Sequence, residues 1–435
     1  MADSRRRLPR GFVVIWSTVA VDLIGFGIVL PILPQYAEKF GAGAATIGLL
    51  SASFSFMQLL FAPFWGRVSD RIGRKPVILL SLFGTAVGSF LTGRADALWL
   101  LFAGRILDGI SGASVSVSQA AVADLAAPKD RARYMGLLGA AFGIGFVAGP
   151  MIGALGALGG PHVPFYIAAA LAFVNGVVAI FRLPETAHGV AGHPKARPEV
   201  VAARLREQQA VEDGDAMNKM PNLDGPGLAE PAHFDREVMH EPASDIRTRI
   251  FRFIFVSFVA VVAFSGFEST FSLLTKQRFE LELAATALLF GGIGILLVAV
   301  QGGLVGPVTK RLGEYRTIRF GLAANCVGLL LLAVSFGWVG LILALAILTV
   351  GQGLLTPTLS SAIAGLAGNS TGSWLGWQQA AGGLGRVVGP LIAGALFQWA
   401  GASWPYVVGS VLALAALALL PRSNGAKEAK GSTSH

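Results

Sequence analysis

Apolar runs long enough to cross about 30 Å of hydrocarbon as a helix, 18 residues or more, recur along all 435 residues of this chain. Their predicted bounds are 11–36, 46–65, 76–94, 97–122, 134–158, 163–181, 251–275, 284–305, 317–336, 339–366, 373–398 and 403–421. A membrane barrel would show short alternating segments instead. The reading is therefore an all-α membrane protein with 12 transmembrane helices. Only 14% of the residues are charged, against about 25% in soluble domains, which excludes a soluble fold. The first run is expected to stay in the protein. It is too long for a leader, contains Asp22, Pro31 and Pro34, and meets no small-residue cleavage site.

The placement of charge predicts orientation. Of the 34 Lys and Arg residues, 18 fall at the N-terminus, in the 2–3, 4–5 and 8–9 links and in the C-terminal tail. Four, Lys39, Arg94, Lys276 and Arg278, fall on the other side. The positive-inside rule then puts both termini and the polar central segment on the cytoplasmic face of the cell membrane. The net charge of +9 is topology, so no nucleic-acid partner is expected. Cys326 is the only cysteine, and an internal disulfide is impossible.

An internal repeat divides the chain. "GRVSDRIGRKP" starts at Gly66 and "GPVTKRLGEYR" at Gly306; Gly66, Arg71 and Gly73 recur as Gly306, Arg311 and Gly313, each 240 residues later. "GIGFVAGPMIGAL" and "GLGRVVGPLIAGAL" share the same offset, through Gly145, Gly149 and Pro150 against Gly385, Gly389 and Pro390. Two unrelated motifs with one offset indicate duplication, here two six-helix halves in the same orientation, as in secondary transporters. The expected domains are an N-terminal bundle (1–182), a linker (183–249), a C-terminal bundle (250–422) and a tail (423–435). Within the linker, "EVVAARLREQQAVE" has the composition of a short surface helix.

The first 2–3 motif, with "GRILDGISGA" and "FGIGFVAGPMIGAL", resembles the signature motifs of proton-coupled drug antiporters of the major facilitator superfamily. The resemblance covers the whole 12-helix layout. "DLIGFGIVLPILP", "SDRIGRKP" and "DRARYMG" are similar to the tetracycline-efflux group. The resemblance implies a secondary active transporter, not an enzyme. It would export a small lipophilic or cationic drug-like compound by alternating access, as a monomer driven by the proton gradient with no cofactor. Import or facilitated passage of a small metabolite is the alternative, and a non-transporting membrane sensor a third. An ATP-driven pump is disfavoured because no G-x-x-x-x-G-K-[ST] loop occurs, and no span contains a His for metal or catalytic chemistry.

Each motif has a physical reading beside the one the resemblance implies. Gly66 and Gly73 permit close backbone approach in the 2–3 link. By resemblance, Asp70 faces the N-terminus of the eleventh span, favourable for an acid at a helix dipole, and Arg74 pairs with Asp124, forming a latch made when the cytoplasmic side is shut. Gly145, Gly149 and Gly153 share one helix face and suit close packing; with Pro150 they form the motif that the resemblance reads as typical of antiporters.

Ionisable groups inside spans are costly and need a partner or a wet cavity. They are Asp22, Arg105, Asp108, Glu268 and Arg386. Arg105 and Asp108 can meet on one helix face. Asp22 and Glu268 are the expected proton carriers, with Arg105 and Asp108 coupling them, while capping or pairing with Arg386 stays open for Glu268. Phenylalanines with Met57, Gln58, Gln119, Gln301, Asn325, Gln378 and Arg386 are expected to line a substrate cavity, although the glutamines serve equally as interhelical hydrogen bonds. The sequence departs from the tetracycline pattern at Gly88 and Asn325, where those pumps carry acids, and at Leu297, where they carry His.

Overall fold

The computed structural model describes residues 10–112, 114–125, 128–187, 243–367 and 370–420. Among these the chain folds into helices without strands. They are α1 (Arg10–Glu38), α2 (Ala44–Ile72), α3 (Arg74–Gly93), α4 (Leu98–Ser111), α5 (Ser114–Leu125), α6 (Pro128–Ala157) and α7 (Val163–Arg182). After the central segment come α8 (Ala243–Phe279), α9 (Leu283–Ala299), a π-helical turn (Val300–Leu304), α10 (Val305–Val334), α11 (Trp338–Ala367), α12 (Thr371–Trp399) and α13 (Trp404–Leu419). Among the described residues, ten helical stretches are long and apolar enough to cross a membrane. Nine coincide with one expected span each, and the tenth, Leu283–Val334, covers two; the last expected span is the shorter helix α13.

Four boundaries differ from expectation. The 2–3 link is not a loop: α2 runs to Ile72, and Gly73 alone (φ 107°) turns the chain into α3. The 8–9 link is helical too, broken only at Gly313 (φ 76°). Side chains rarely adopt such φ values, which explains why this glycine recurs at the 240-residue offset. The fourth span is broken after Gly112, so α4 and α5 are separate. Helix α8 starts at Ala243, inside the expected linker, and is tied down where Arg249 donates to the Tyr315 hydroxyl at 2.6 Å. The "EVVAARLREQQAVE" stretch and the 423–435 tail lie outside the described residues.

Packing repeats as the sequence does. Helix α1 packs on α6 as α8 packs on α12, and α3 packs on α4 and α7 as α10 packs on α11 and α13. Lipid supplies no hydrophobic drive between helices, so small residues carry the contact. A Cβ at Gly149 would fall 2.6 Å from Gly27 Cα, and one at Gly389 would fall 2.4 Å from the Val262 carbonyl oxygen. The halves join through α2 on α12 and α6 on α9. There a Cβ at Gly48 or at Gly294 would sit 2.2 Å from the carbonyl oxygen of Pro390 or of Phe146.

The halves are sealed at one end. Gln35 Nε2 donates to the Ser272 carbonyl (3.0 Å) and the Thr286 hydroxyl (3.2 Å), and Lys276 pairs with Glu38 at 2.6 Å. The Ala45 N–H donates to Gln398 Oε1 at 2.9 Å. At the opposite end, a Cβ at Gly66, Gly302, Gly306, Gly313 or Gly372 would meet nothing within 4 Å.

Candidate functional site

Two groups of buried charge face the interior, one in each half. In the N-terminal half, Arg105 and Asp108 lie one helical turn apart on α4 and form an ion pair of 2.7 Å, with both side chains buried. The guanidinium stacks over the Phe54 ring at 4.2 Å, and its Nε is buried without a hydrogen-bond partner. Asp22, on α1, accepts from the Ser114 hydroxyl and feels the charge of Asp108. Asp108 stands against Gly88, where an added Cβ would fall 2.9 Å from Asp108 Cβ. The Asp108 Cβ and the α4 backbone thus occupy the room that a side chain at position 88 would need.

In the C-terminal half the arrangement is looser. Glu268 on α8 and Arg386 on α12 attract one another without an ion pair of 4 Å or less among the described residues. Arg386 lies deep among the helices yet is exposed, as a side chain projecting into a wet cleft would be. Glu268 lines a cavity of about 110 Å³ with Phe146, Phe264, Phe267, Phe290 and Gln301. That is smaller than the roughly 300–1,000 Å³ of a complete small-molecule site.

The other predicted site residues divide. Gln301 reaches the Glu268 cavity. Gln58 donates to the Gly112 carbonyl at 3.1 Å, and Gln378 bridges Ser257 and Ser360. Asn325 donates to Gln352 at 3.0 Å and keeps a buried Oδ1 without a partner. These three are committed to helix contacts. Met57 packs at Gly109, and Gln119 is half-buried on α5. Gly145, Gly149 and Gly153 all lie against α1, at Leu23, Gly27 and Ile28.

In the 2–3 region Arg74 joins Asp70 (2.6 Å) and Asp124 (3.0 Å). The side chain of Asp70 is 62% exposed, and Arg74 is its ion-pair partner. No hydrogen bond or ion pair among the described residues joins it to α12. Sequence reasoning missed Glu185, whose carboxylate accepts the N–H groups of Arg74 (2.7 Å), Lys75 (3.1 Å), Thr186 and Ala187. Burial opposes its charge, but these backbone donors hold the carboxyl below its ordinary range. It was also blind to Ser114 and Gln352; an acid after Leu-Pro, a serine run and one more glutamine inside a span were the only signals.

Comparison with known proteins then bears on the whole chain. A family model described as Major Facilitator Superfamily matches residues 15–335 and 299–435. The chain is 30% identical to the tetracycline resistance protein, class C, of Escherichia coli over 423 residues, 94% of this chain and 96% of that one. It is 27% identical over 387 residues to multidrug resistance protein 2 of Bacillus subtilis (strain 168), covering 89% and 88% of the two chains. The crystal structure of the human organic anion transporter MFSD10 (TETRAN) matches with a TM-score of 0.65 at 27% identity, over 95% of this chain and all of that one.

Proposed function

The chain belongs to the Major Facilitator Superfamily, a family of multi-pass membrane transporters and not of enzymes, and from that premise we propose that it exports a small lipophilic or cationic compound in exchange for protons. The observation that carries this reading is the pair of carboxylates in separate halves, Asp22 and Glu268, each inside the bundle and each within reach of another charge. A carboxylate in such a place is electrically cheaper neutral than ionised. It takes a proton from one side and gives it up on the other as access alternates. Arg105 and Asp108 couple Asp22 to its surroundings.

Orientation follows from the charge of the links. The sealed end carries Lys39, Arg94 and Lys276, and the opposite end carries the cation-rich 2–3 and 8–9 connections. The open end is therefore cytoplasmic, and this is the state that receives substrate from inside. Asp70 is free of α12 because the latch belongs to the other state, in which the cytoplasmic side is shut. The Arg74–Asp124 pair is formed while this end is open, so of the expected latch only the contact of Asp70 with α12 belongs to the shut state.

A second reading, transport of an organic anion, is favoured by the exposed guanidinium of Arg386 beside the phenylalanine-lined cavity and by the description of the human relative. Everted vesicles energised with a pH gradient separate the two. Tetraphenylphosphonium is expected to dissipate the gradient in wild type and not in Asp22→Asn or Glu268→Gln. Dissipation by a lipophilic carboxylate alone would select the second reading, and substrate flux without proton movement would leave a facilitator.

A further inference from the structure

The break in the fourth span is built, not frayed. At Gly112 the backbone leaves helical geometry (ψ 39°), which frees carbonyl groups inside the bundle; each such group costs several kcal/mol unless a partner replaces the lost bond. Here three successive carbonyls are satisfied by side chains from two other helices. Trp65 Nε1 donates to Ile110 at 2.6 Å, Gln58 Nε2 donates to Gly112 at 3.1 Å, and the Ser81 hydroxyl donates to Ser111. The Ser81 oxygen accepts in return the N–H of Ser114 at 2.9 Å, closing the gap from the other side.

What this scaffold presents is Ser114, the first residue of α5, which is 3% exposed. A serine at a helix start ordinarily turns its oxygen onto its own helix's N–H groups. The Ser114 hydroxyl instead donates across to Asp22 Oδ2 on α1. We propose that Ser114 is the positioning residue of the Asp22 carboxylate, and that the break in the fourth span exists to aim its hydroxyl there. The inference rests on the reading of Asp22 as a proton carrier. A donor fixed by its own backbone on Ser81 holds one carboxylate oxygen in a single orientation and tunes how readily the group takes a proton.

The charged groups facing Asp22 are few. Asp108 on α4 repels it, and Arg105 stands behind Asp108 as its ion-pair partner. From α6 this stretch of α1 meets Gly145 and Gly149, and from α7 it meets Asn175 on the Thr18 carbonyl, none of them titratable. Among the described residues, Ser114 is the hydrogen-bond donor to Asp22.

Infrared difference spectra of the full-length protein in lipid, taken as the pH is stepped, test this without a substrate. The protonated-carboxyl band that Asp22→Asn removes belongs to Asp22. In Ser114→Ala that band shifts in frequency, and its midpoint moves by about one pH unit. In Ser114→Thr, which keeps the hydroxyl, it returns to the wild-type position. Ser114→Val, the isostere of Thr, repeats the alanine result and guards against a packing artefact or a misfolded alanine variant. An Asp22 band unchanged in Ser114→Ala or Ser114→Val overturns the positioning role and leaves the carrier reading standing. If Asp22→Asn removes no titrating band, Asp22 does not exchange protons there, and both fall.

Discussion

The two halves share a scaffold and differ in their chemistry. Helix α6 meets α1, and α12 meets α8, through glycines at the same 240-residue offset, in backbone contact in both halves. The charges show no such symmetry. The positions equivalent to Asp22, Arg105 and Asp108 are Val262, Leu345 and Leu348, and those equivalent to Glu268 and Arg386 are Ile28 and Phe146. The N-terminal half holds a hydrogen-bonded cluster closed on itself, whereas the C-terminal half holds a loose pair open to a cleft. Duplication kept what packing needs and left the proton and substrate chemistry free to diverge.

The junctions after α2 and within α10 repeat the lesson. Both turn at a glycine of positive φ. Gly73 lies under the Glu185 carboxylate, where a Cβ would fall 2.3 Å from Oε2, but Gly313 has nothing within 4 Å. The first junction is clamped by the residues that follow α7; the second has no such clamp among the described residues.

The largest expected effect breaks the shared feature. Gly149→Leu and Gly389→Leu should each prevent the helices from closing, at well over the ~1–3 kcal/mol of ordinary overpacking because the obstacle is backbone. Size-exclusion profiles and melting curves should suffer alike in both; a tolerant half would end the equivalence. Next, Arg105→Leu strands a buried carboxylate and should cost about 3–5 kcal/mol. Arg386→Leu, with no close ion pair, should melt near wild type and lose transport instead. Equal melting losses would show that the C-terminal pair is as tight as the N-terminal cluster.

The smallest effect concerns Glu185. Its folded carboxyl titrates below the unfolded value, so it contributes stability above the unfolded value that is lost as pH falls through the folded one. An anion at a helix N-terminus contributes about 0.5 kcal/mol. Melting of Glu185→Gln should trail wild type slightly at pH 7 and match it once the pH is below the folded value. A deficit that persisted in acid would point to lost packing, not lost charge.

Much of this was legible in the sequence because hydrophobic length and glycine spacing are local signals. The expected spans, the repeat, and the Arg105–Asp108 and Arg74–Asp124 pairs all follow from runs, offsets and motif resemblance. Side-chain commitments were not. Gln58 and Gln378 stayed open between cavity and interhelical roles, and Asn325 read as a cavity residue, because a polar group in a span looks the same whether it faces a cleft or a neighbouring carbonyl. The break at Gly112 was invisible for the same reason: its partners, Trp65 and Ser81, lie in other helices. Glu185 was passed over because it sits 112 residues beyond Gly73, the turn it covers.

The central claim is that the halves alternate between this state and one in which the sealed end opens and the opposite end shuts, exposing Asp22 and Glu268 to alternate sides. Spin labels paired at Ile72 and Leu312 on the open end, and at Gly43 and Leu283 on the sealed end, would read this directly by pulsed dipolar spectroscopy in a Cys326→Ser background. Stepping the pH from 8 to 5 should shorten the first distance and lengthen the second together, and Asp22→Asn with Glu268→Gln should abolish the pH response of both. Two distances that stay fixed, or that move independently of each other and of the two carboxylates, would contradict the account.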